Sequence, residues 1–187
     1  CGKYLKENGR LNGDTIVTTI MSNLGLYKAC DKAGLKYEKT AVGDKYVYEN
    51  MVNNNFSLGG EQSGHTIFTA LETTGDGEVT ALQFLQVLAR SGEKASALAG
   101  CCATYPQVLV NVEVPHSGGV KEKIMASPEL AEAVKREEEA LGSEGRVLVR
   151  PSGTEALIRV MVEAKTEDAA RQTAQRLAQM IPSLAKE

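Results

Sequence analysis

No stretch of this chain approaches the ~20 consecutive apolar residues that a membrane-spanning helix needs. The opening segment, CGKYLKENGR, carries too many charges for a secretory leader, so the cytoplasm is the expected compartment. Charge of one sign is missing as well: 21 Lys and Arg against 24 Asp and Glu leave a formal net charge of −3, with no large block of either sign. A chain that gripped nucleic acid by its phosphates would gather basic residues on one surface, so no nucleic-acid partner is expected. Cysteines are few. Cys1, Cys30, Cys101 and Cys102 show neither metal-ligand spacing nor the density of a disulfide scaffold, which points to reduced thiols. His116, beyond the Cys101-Cys102 pair, does not complete a zinc pattern, and no metal ligand is assigned. Internal repeats and low-complexity tracts are absent too. What is present is a 42% apolar composition, enough to supply a packed core for one large domain or two small ones.

The chain begins inside a helical pattern, KYLKENGRL, which ends at the NGD turn; starting at Cys1 in mid-element suggests a piece cut from something longer. An apolar, β-branched run (15–22) reads as a strand and residues 23–34 as a helix closed by a glycine. A strand (36–42), a helix (43–55) and a pair of strands around a loop (56–70) follow. Residues 76–92 form a strongly amphipathic helix with Asp76 at its N-cap and Gly92 past its end. Strands alternating with helices imply an α/β unit with a parallel or mixed sheet. A short helix within 94–107 marks a boundary. Beyond it come a strand (108–115), a helix (127–142) with Ser127 capping and Pro128 in the first turn, two strands (RVLVR and ALIRVMVEA) and a last helix (166–181). That β-α-β-β-α order packs as a small antiparallel sheet with helices on one face. The expected class is α/β plus α+β, with domains 1–106 and 107–187.

Three loops carry chemistry. In GRVLVRPSGTEALIRVMVE (145–163), Arg150 offers a planar fork of donors, Ser152 and Thr154 offer hydroxyls, and Gly153 lets the backbone turn its amides inward, a set that suits a phosphate dianion. Arg159, on the strand leaving the loop, adds a second charge. The same residues also fit a plain hairpin loop whose hydroxyls bond their own backbone. In GGEQSGH (59–65), Glu61, Ser63 and His65 alternate and project to one side if the segment is extended. A carboxylate beside a hydroxyl suits a vicinal sugar diol, and His65 is a proton shuttle. A glycine-rich turn with a satisfied histidine is the reading that this composition alone favours. In TAVGDKY (40–46), Gly43, Asp44 and Lys45 lie where a strand runs into a helix, the place where α/β sheets hold ligands. There Asp44 is expected to cap the helix and Lys45 to meet an anion or solvent.

In this order and spacing, RPSGTEALIRVMVE, GGEQSGH, TAVGDKYV and TTGDGEVTALQFL together resemble the C-terminal half of the α-D-phosphohexomutase superfamily, in its amino-sugar branch, over nearly the whole chain. The resemblance implies interconversion of glucosamine 6-phosphate and glucosamine 1-phosphate, on the route to UDP-N-acetylglucosamine and the bacterial cell wall. In that family a phosphoserine gives its phosphoryl group to the sugar, a bisphosphate intermediate turns over, and the serine takes back the other phosphate, with magnesium assisting. By the same resemblance Arg150, Ser152, Gly153, Thr154 and Arg159 hold the phosphate that is not reacting, Glu61 and Ser63 grip ring hydroxyls with the help of the 43–45 loop, and His65 accepts a proton. The sequence departs from the family pattern at Ala156, where proline is common, and at Lys45, where arginine is common. It also has no phosphoserine motif and no Asp-x-Asp-x-Asp metal loop. The magnesium ligands would then lie in preceding domains, which are the implied partners, this fragment alone would be inactive and metal-free, and a homodimer of the full-length enzyme stays open. A free-standing sugar-phosphate binding module, or a phosphomannomutase or phosphoglucomutase, are the alternatives.

Overall fold

Parallel strands cannot be joined by a tight turn; each pair needs a crossover of a dozen or so residues, usually a helix. The first part of the chain has that rhythm: α1 (Gly2–Glu7), β1 (Thr15–Thr19), α2 (Leu24–Lys32), β2 (Lys36–Thr40), α3 (Asp44–Asn54), β3 (Leu58–Gly60), β4 (Thr66–Phe68), α4 (Gly77–Ser91) and α5 (Ala95–Ala99). The computed structural model describes residues 1–116 and 118–185 and divides into two compact units, Cys1–Thr104 and Tyr105–Glu187.

In the first unit the strand order is β2-β1-β3-β4, with β1 parallel to both β2 and β3 and β4 antiparallel to β3. The mixed sheet expected from the alternation is present. Its two faces follow from the period of two along each strand. Leu58 and Phe68 join Leu5, Leu11, Cys30 and Leu35 in one buried cluster. Val17 and Ile67 turn the other way, onto Val47 and Met51 of α3. Gly59 is the register partner of Val17, and a Cβ there would lie 2.4 Å from Met51 Sδ and 2.7 Å from Val47 Cγ1. The missing side chain is what lets α3 settle on the sheet just before the loop that follows β3. The cap expected for α4 is present: Asp76 Oδ1 accepts the Val79 amide at 2.8 Å, and Gly92 ends the helix at φ 66°.

The second unit contains β5 (Gln107–Glu113), α6 (Val120–Met125), α7 (Pro128–Leu141), β6 (Gly145–Pro151), β7 (Leu157–Ala164) and α8 (Glu167–Leu184). Its sheet is antiparallel in the order β5-β7-β6. Ile158, Val160, Val162 and Ala164 of the central strand enter one buried cluster with Ile124, Leu130, Ala133, Ala174, Leu177 and Ile181 of the helices. Two details differ from expectation. The helix α6 is extra; six residues opening after Gly118-Gly119 are too few to show a hydrophobic period. And α8 runs through Pro182 to Leu184, because a donor lost in the last turn costs little while Ile181 and Leu184 are buried. On the alternate positions of β7, register pairs Glu163 with Arg146, Met161 with Leu148 and Arg159 with Arg150. Glu163 is wholly buried, and its carboxylate accepts from Arg146 Nε at 2.7 Å and Nη2 at 3.2 Å, so this charge within an apolar strand is paired.

Candidate functional site

Since β1, β2 and β3 are parallel, the loops leaving them emerge at one end of the sheet, the usual crevice for ligands in such folds. Two of the expected segments meet there: Glu61 Oε1 accepts the Gly43 amide at 2.9 Å. Gly43 has φ 133°, a conformation that side-chain-bearing residues rarely adopt, and it occupies the N-cap of α3. Asp44 therefore does not cap the helix as expected; its Oδ1 accepts the amide of Lys45 at 2.8 Å instead. Lys45 is exposed and lies 3.7 Å from Glu49 Oε1.

Past Gly60, where β3 ends, the GGEQSGH segment is not extended. The Gly64 amide donates to Glu61 O (3.1 Å) and the Glu61 amide to His65 O (2.9 Å), closing a turn that Gly64, at φ 101°, permits. The common side expected for Glu61, Ser63 and His65 is lost in that turn. Glu61 faces the 43–45 loop, whereas Ser63 Oγ and His65 Nδ1 are hydrogen-bonded to each other at 2.9 Å, both residues exposed. Gly75 packs on the histidine; a Cβ there would lie 3.0 Å from His65 Cβ. A cleft of about 330 Å³ joins the two segments, lined by Ser63, Gly64, His65, Thr66, Gly75, Asp76 and Gly77. A second cavity of about 500 Å³ is lined by Thr18, Ser22, Asn23, Gly60, Glu61 and Gln62, among others. Thr18, Ser22 and Asn23 are absent from the sequence-derived set. The signal for them is positional: they follow or end β1, and the hydroxyls of Thr18 and Ser22 share a short hydrogen bond.

In the second unit the hairpin loop between β6 and β7 behaves differently from its composition. Ser152 is 3% exposed; its Oγ accepts the Glu155 amide at 3.2 Å, so the hydroxyl closes the loop on itself rather than facing outward. Gly153 does not adopt a left-handed conformation, and a Cβ on it would touch nothing within 4 Å. The expected need for glycine to turn the backbone is thus corrected: within this chain only an approaching ligand would notice the missing side chain. Thr154 is exposed beside it. No acceptor among the described residues takes the amides of Gly153 and Thr154.

At the base of the loop two arginines stand opposite one another across β6 and β7, Arg150 and Arg159. Arg159 Nη2 donates to Glu155 Oε2 at 2.8 Å, while its Nε is buried with no partner among the described residues. Arg150 has no carboxylate among the described residues. Burial and the neighbouring Arg159 both pull its pKa below the ordinary arginine value, and it remains a cation at any physiological pH. A cavity of about 280 Å³ is lined by His116, Lys121, Gly153, Thr154 and Ala156, among others. Lys121 Nζ donates to the carbonyls of Ser152 (2.7 Å) and Glu155 (3.2 Å). Sequence reasoning misses Lys121, because it comes from the unforeseen α6 and lies 31 and 34 residues from its partners. The structure therefore brings Arg150 beside Arg159 and sets Gly153 and Thr154 on a cavity with Lys121, but turns Ser152 inward. The result is an excess of cation with unspent amides, an arrangement that accepts an oxyanion. Among the described residues no group of three or more His, Cys, Asp or Glu side chains is placed to hold a metal ion, and no helix is long and apolar enough to cross a membrane.

Compared with protein families, residues 1–105 match "Phosphoglucomutase/phosphomannomutase, alpha/beta/alpha domain III" and residues 109–180 match "Phosphoglucomutase/phosphomannomutase, C-terminal domain". Similar curated proteins include phosphoglucosamine mutase of Shouchella clausii, 51% identical over 95% of this chain, and that of Geobacillus kaustophilus, 50% identical over 97%. The chain spans 39% of the length of either relative. Among solved structures, N-acetylphosphoglucosamine mutase of Aspergillus fumigatus superposes with a TM-score of 0.77 at 20% identity, covering 98% of this chain and 40% of that one, a likeness of fold.

Proposed function

Because the chain belongs to the phosphoglucomutase/phosphomannomutase family, we propose that it is the substrate-gripping part of a phosphoglucosamine mutase. The enzyme would interconvert glucosamine 6-phosphate and glucosamine 1-phosphate in the cytoplasm. The observation that carries the reading is Arg150, a cation that no carboxylate among the described residues pairs, set against a second arginine beside a loop with two amides that no described residue accepts. A phosphate dianion supplies what that group lacks, and the planar fork of arginine matches two of its oxygens at once.

In this reading the second unit takes the phosphate that is not reacting, through Arg150, Arg159 and the amides of Gly153 and Thr154. The first unit takes ring hydroxyls. Glu61, already bonded to the Gly43 amide, has lone pairs left for a sugar diol, and Gly43, Asp44 and Lys45 border it. The hydrogen bond between Ser63 and His65 orients the imidazole and leaves its other nitrogen to take a proton from an attacking hydroxyl. The phosphoryl donor is a phosphoserine outside this chain: its phosphoryl passes to the free hydroxyl of the sugar phosphate, the bisphosphate exchanges its ends, and the serine recovers the other phosphate. One Aspergillus structure is of a complex with GlcNAc-6P and magnesium. In this reading the residues that hold magnesium lie in the rest of the enzyme; among the described residues no group of three or more His, Cys, Asp or Glu side chains is gathered.

The test is a coupled assay on the full-length enzyme containing this chain, with glucosamine 6-phosphate against mannose and glucose phosphates. Glucosamine 6-phosphate should be turned over best, and Glu61→Gln should cut kcat/KM at least ten-fold, about one lost charge-assisted hydrogen bond. The isolated chain should bind the sugar phosphate without converting it. Turnover by the isolated chain, or a clear preference for mannose phosphate, would overturn the assignment.

A further inference from the structure

The phosphate loop is fastened from outside itself by one side chain. We propose that Lys121 is a positioning residue of this loop, one that holds the amides of Gly153 and Thr154 toward the bound anion; the inference rests on the phosphate reading above. Lys121 Nζ lies 2.7 Å from Ser152 O and 3.2 Å from Glu155 O, so one ammonium spans both ends of the turn. Its own element is fixed in place, since Ile124, one helical turn further along α6, is fully buried in the core of the unit.

Two features set this contact apart from an ordinary surface lysine. First, no carboxylate among the described residues pairs with Lys121; the one within the loop, on Glu155, is taken by Arg159 at 2.8 Å. The lysine directs its donors to two neutral carbonyls while its charge stays uncancelled beside the loop. Second, a trans peptide is planar, with its C=O and N–H pointing in opposite directions. Fixing the carbonyl of Ser152 on Lys121 therefore aims the amide of Gly153 away from it. Ser152 Oγ, accepting the Glu155 amide at 3.2 Å, closes the same turn from within and leaves the amides of Gly153 and Thr154 with no acceptor among the described residues. An anion placed against those amides meets donors already oriented, without the entropic cost of ordering a loose loop.

The test uses the 187-residue chain, isotopically labelled, with inorganic phosphate as the probe and the amide resonances of Gly153 and Thr154 as the readout. The unmodified protein, Lys121→Met, Lys121→Arg and Arg150→Met are compared. Lys121→Met should weaken phosphate about ten-fold and abolish the phosphate-induced shifts of both amides. Lys121→Arg, which restores donors to the two carbonyls, should recover most of both. A lysine that merely stabilises the unit would lower its melting point without moving the affinity of the folded fraction. If Lys121→Met does not fold, Lys121→Leu at the same position gives the same readout, likewise without a donor. Unmodified affinity in Lys121→Met or Lys121→Leu, with the amide shifts intact, would overturn the proposal, while the phosphate reading survives if Arg150→Met binds phosphate more weakly. If the unmodified chain ignores phosphate, or Arg150→Met binds it equally well, the phosphate reading falls and Lys121 falls with it.

Discussion

Replacing Arg150 by methionine should make the second unit slightly more stable and much poorer at binding phosphate. The stability gain comes from the register: Arg150 faces Arg159 directly across two antiparallel strands, and like charges opposite one another are unfavourable. That cross-strand term is worth roughly 0.2–1 kcal/mol, and methionine keeps the apolar stem that packs along the strand. Among the described residues no ion pair is lost in exchange, since Glu155 already belongs to Arg159. The binding loss is larger, because hydrogen bonds to a charged group contribute about 1.5–3 kcal/mol, and roughly 2 kcal/mol corresponds to a ~30-fold weaker dissociation constant. Denaturant titration without phosphate measures the first quantity, and calorimetric titration of phosphate the second. Two controls follow from the same physics. Added salt should stabilise the unmodified chain relative to the variant by screening the arginine pair, and saturating phosphate should reverse their order of stability. A variant destabilised by more than about 1 kcal/mol that binds phosphate as before would show that Arg150 is a structural residue and the loop a turn.

Gly59→Ala should destabilise the first unit by about 1–3 kcal/mol, because its methyl would press on Met51 Sδ and Val47 Cγ1; equilibrium unfolding checks this. Gly153→Ala meets nothing and needs no unusual backbone, so it should melt as the unmodified chain does while phosphate, approaching that backbone, binds more weakly. Glu137 is held below its ordinary carboxylate pKa by hydrogen bonds from Arg176, Nε to Oε1 at 2.8 Å and Nη2 to Oε2 at 2.6 Å. Its contribution is present above the unfolded carboxylate pKa and is lost as pH falls through the depressed folded value. Glu137→Gln should therefore flatten the acid limb of the stability curve; since Arg176 is 54% exposed, the effect should stay below about 1 kcal/mol.

The order of elements, the mixed sheet and the antiparallel sheet were legible in the sequence because each rests on local periodicity. Alternation puts Val17 and Ile67 on one face and Leu58 and Phe68 on the other, and caps such as Asp76 and Ser127 announce helices within a few residues of where they act. The short α6 was not legible, since six residues hold less than two helical turns. Of the candidate site, composition and position were legible, since the three loops lie at strand ends; that Arg150 stands opposite Arg159 came from the hairpin register. Tertiary structure decided what each polar atom does. Whether Ser152 points to a ligand or back to Glu155, whether Glu61 stands with Ser63 or reaches to Gly43, and whether Lys121 meets solvent or two carbonyls depend on contacts between residues far apart in the chain. A hydroxyl or carboxylate takes the partner that three-dimensional packing brings within about 3 Å, and residue type and spacing record only which bonds are possible.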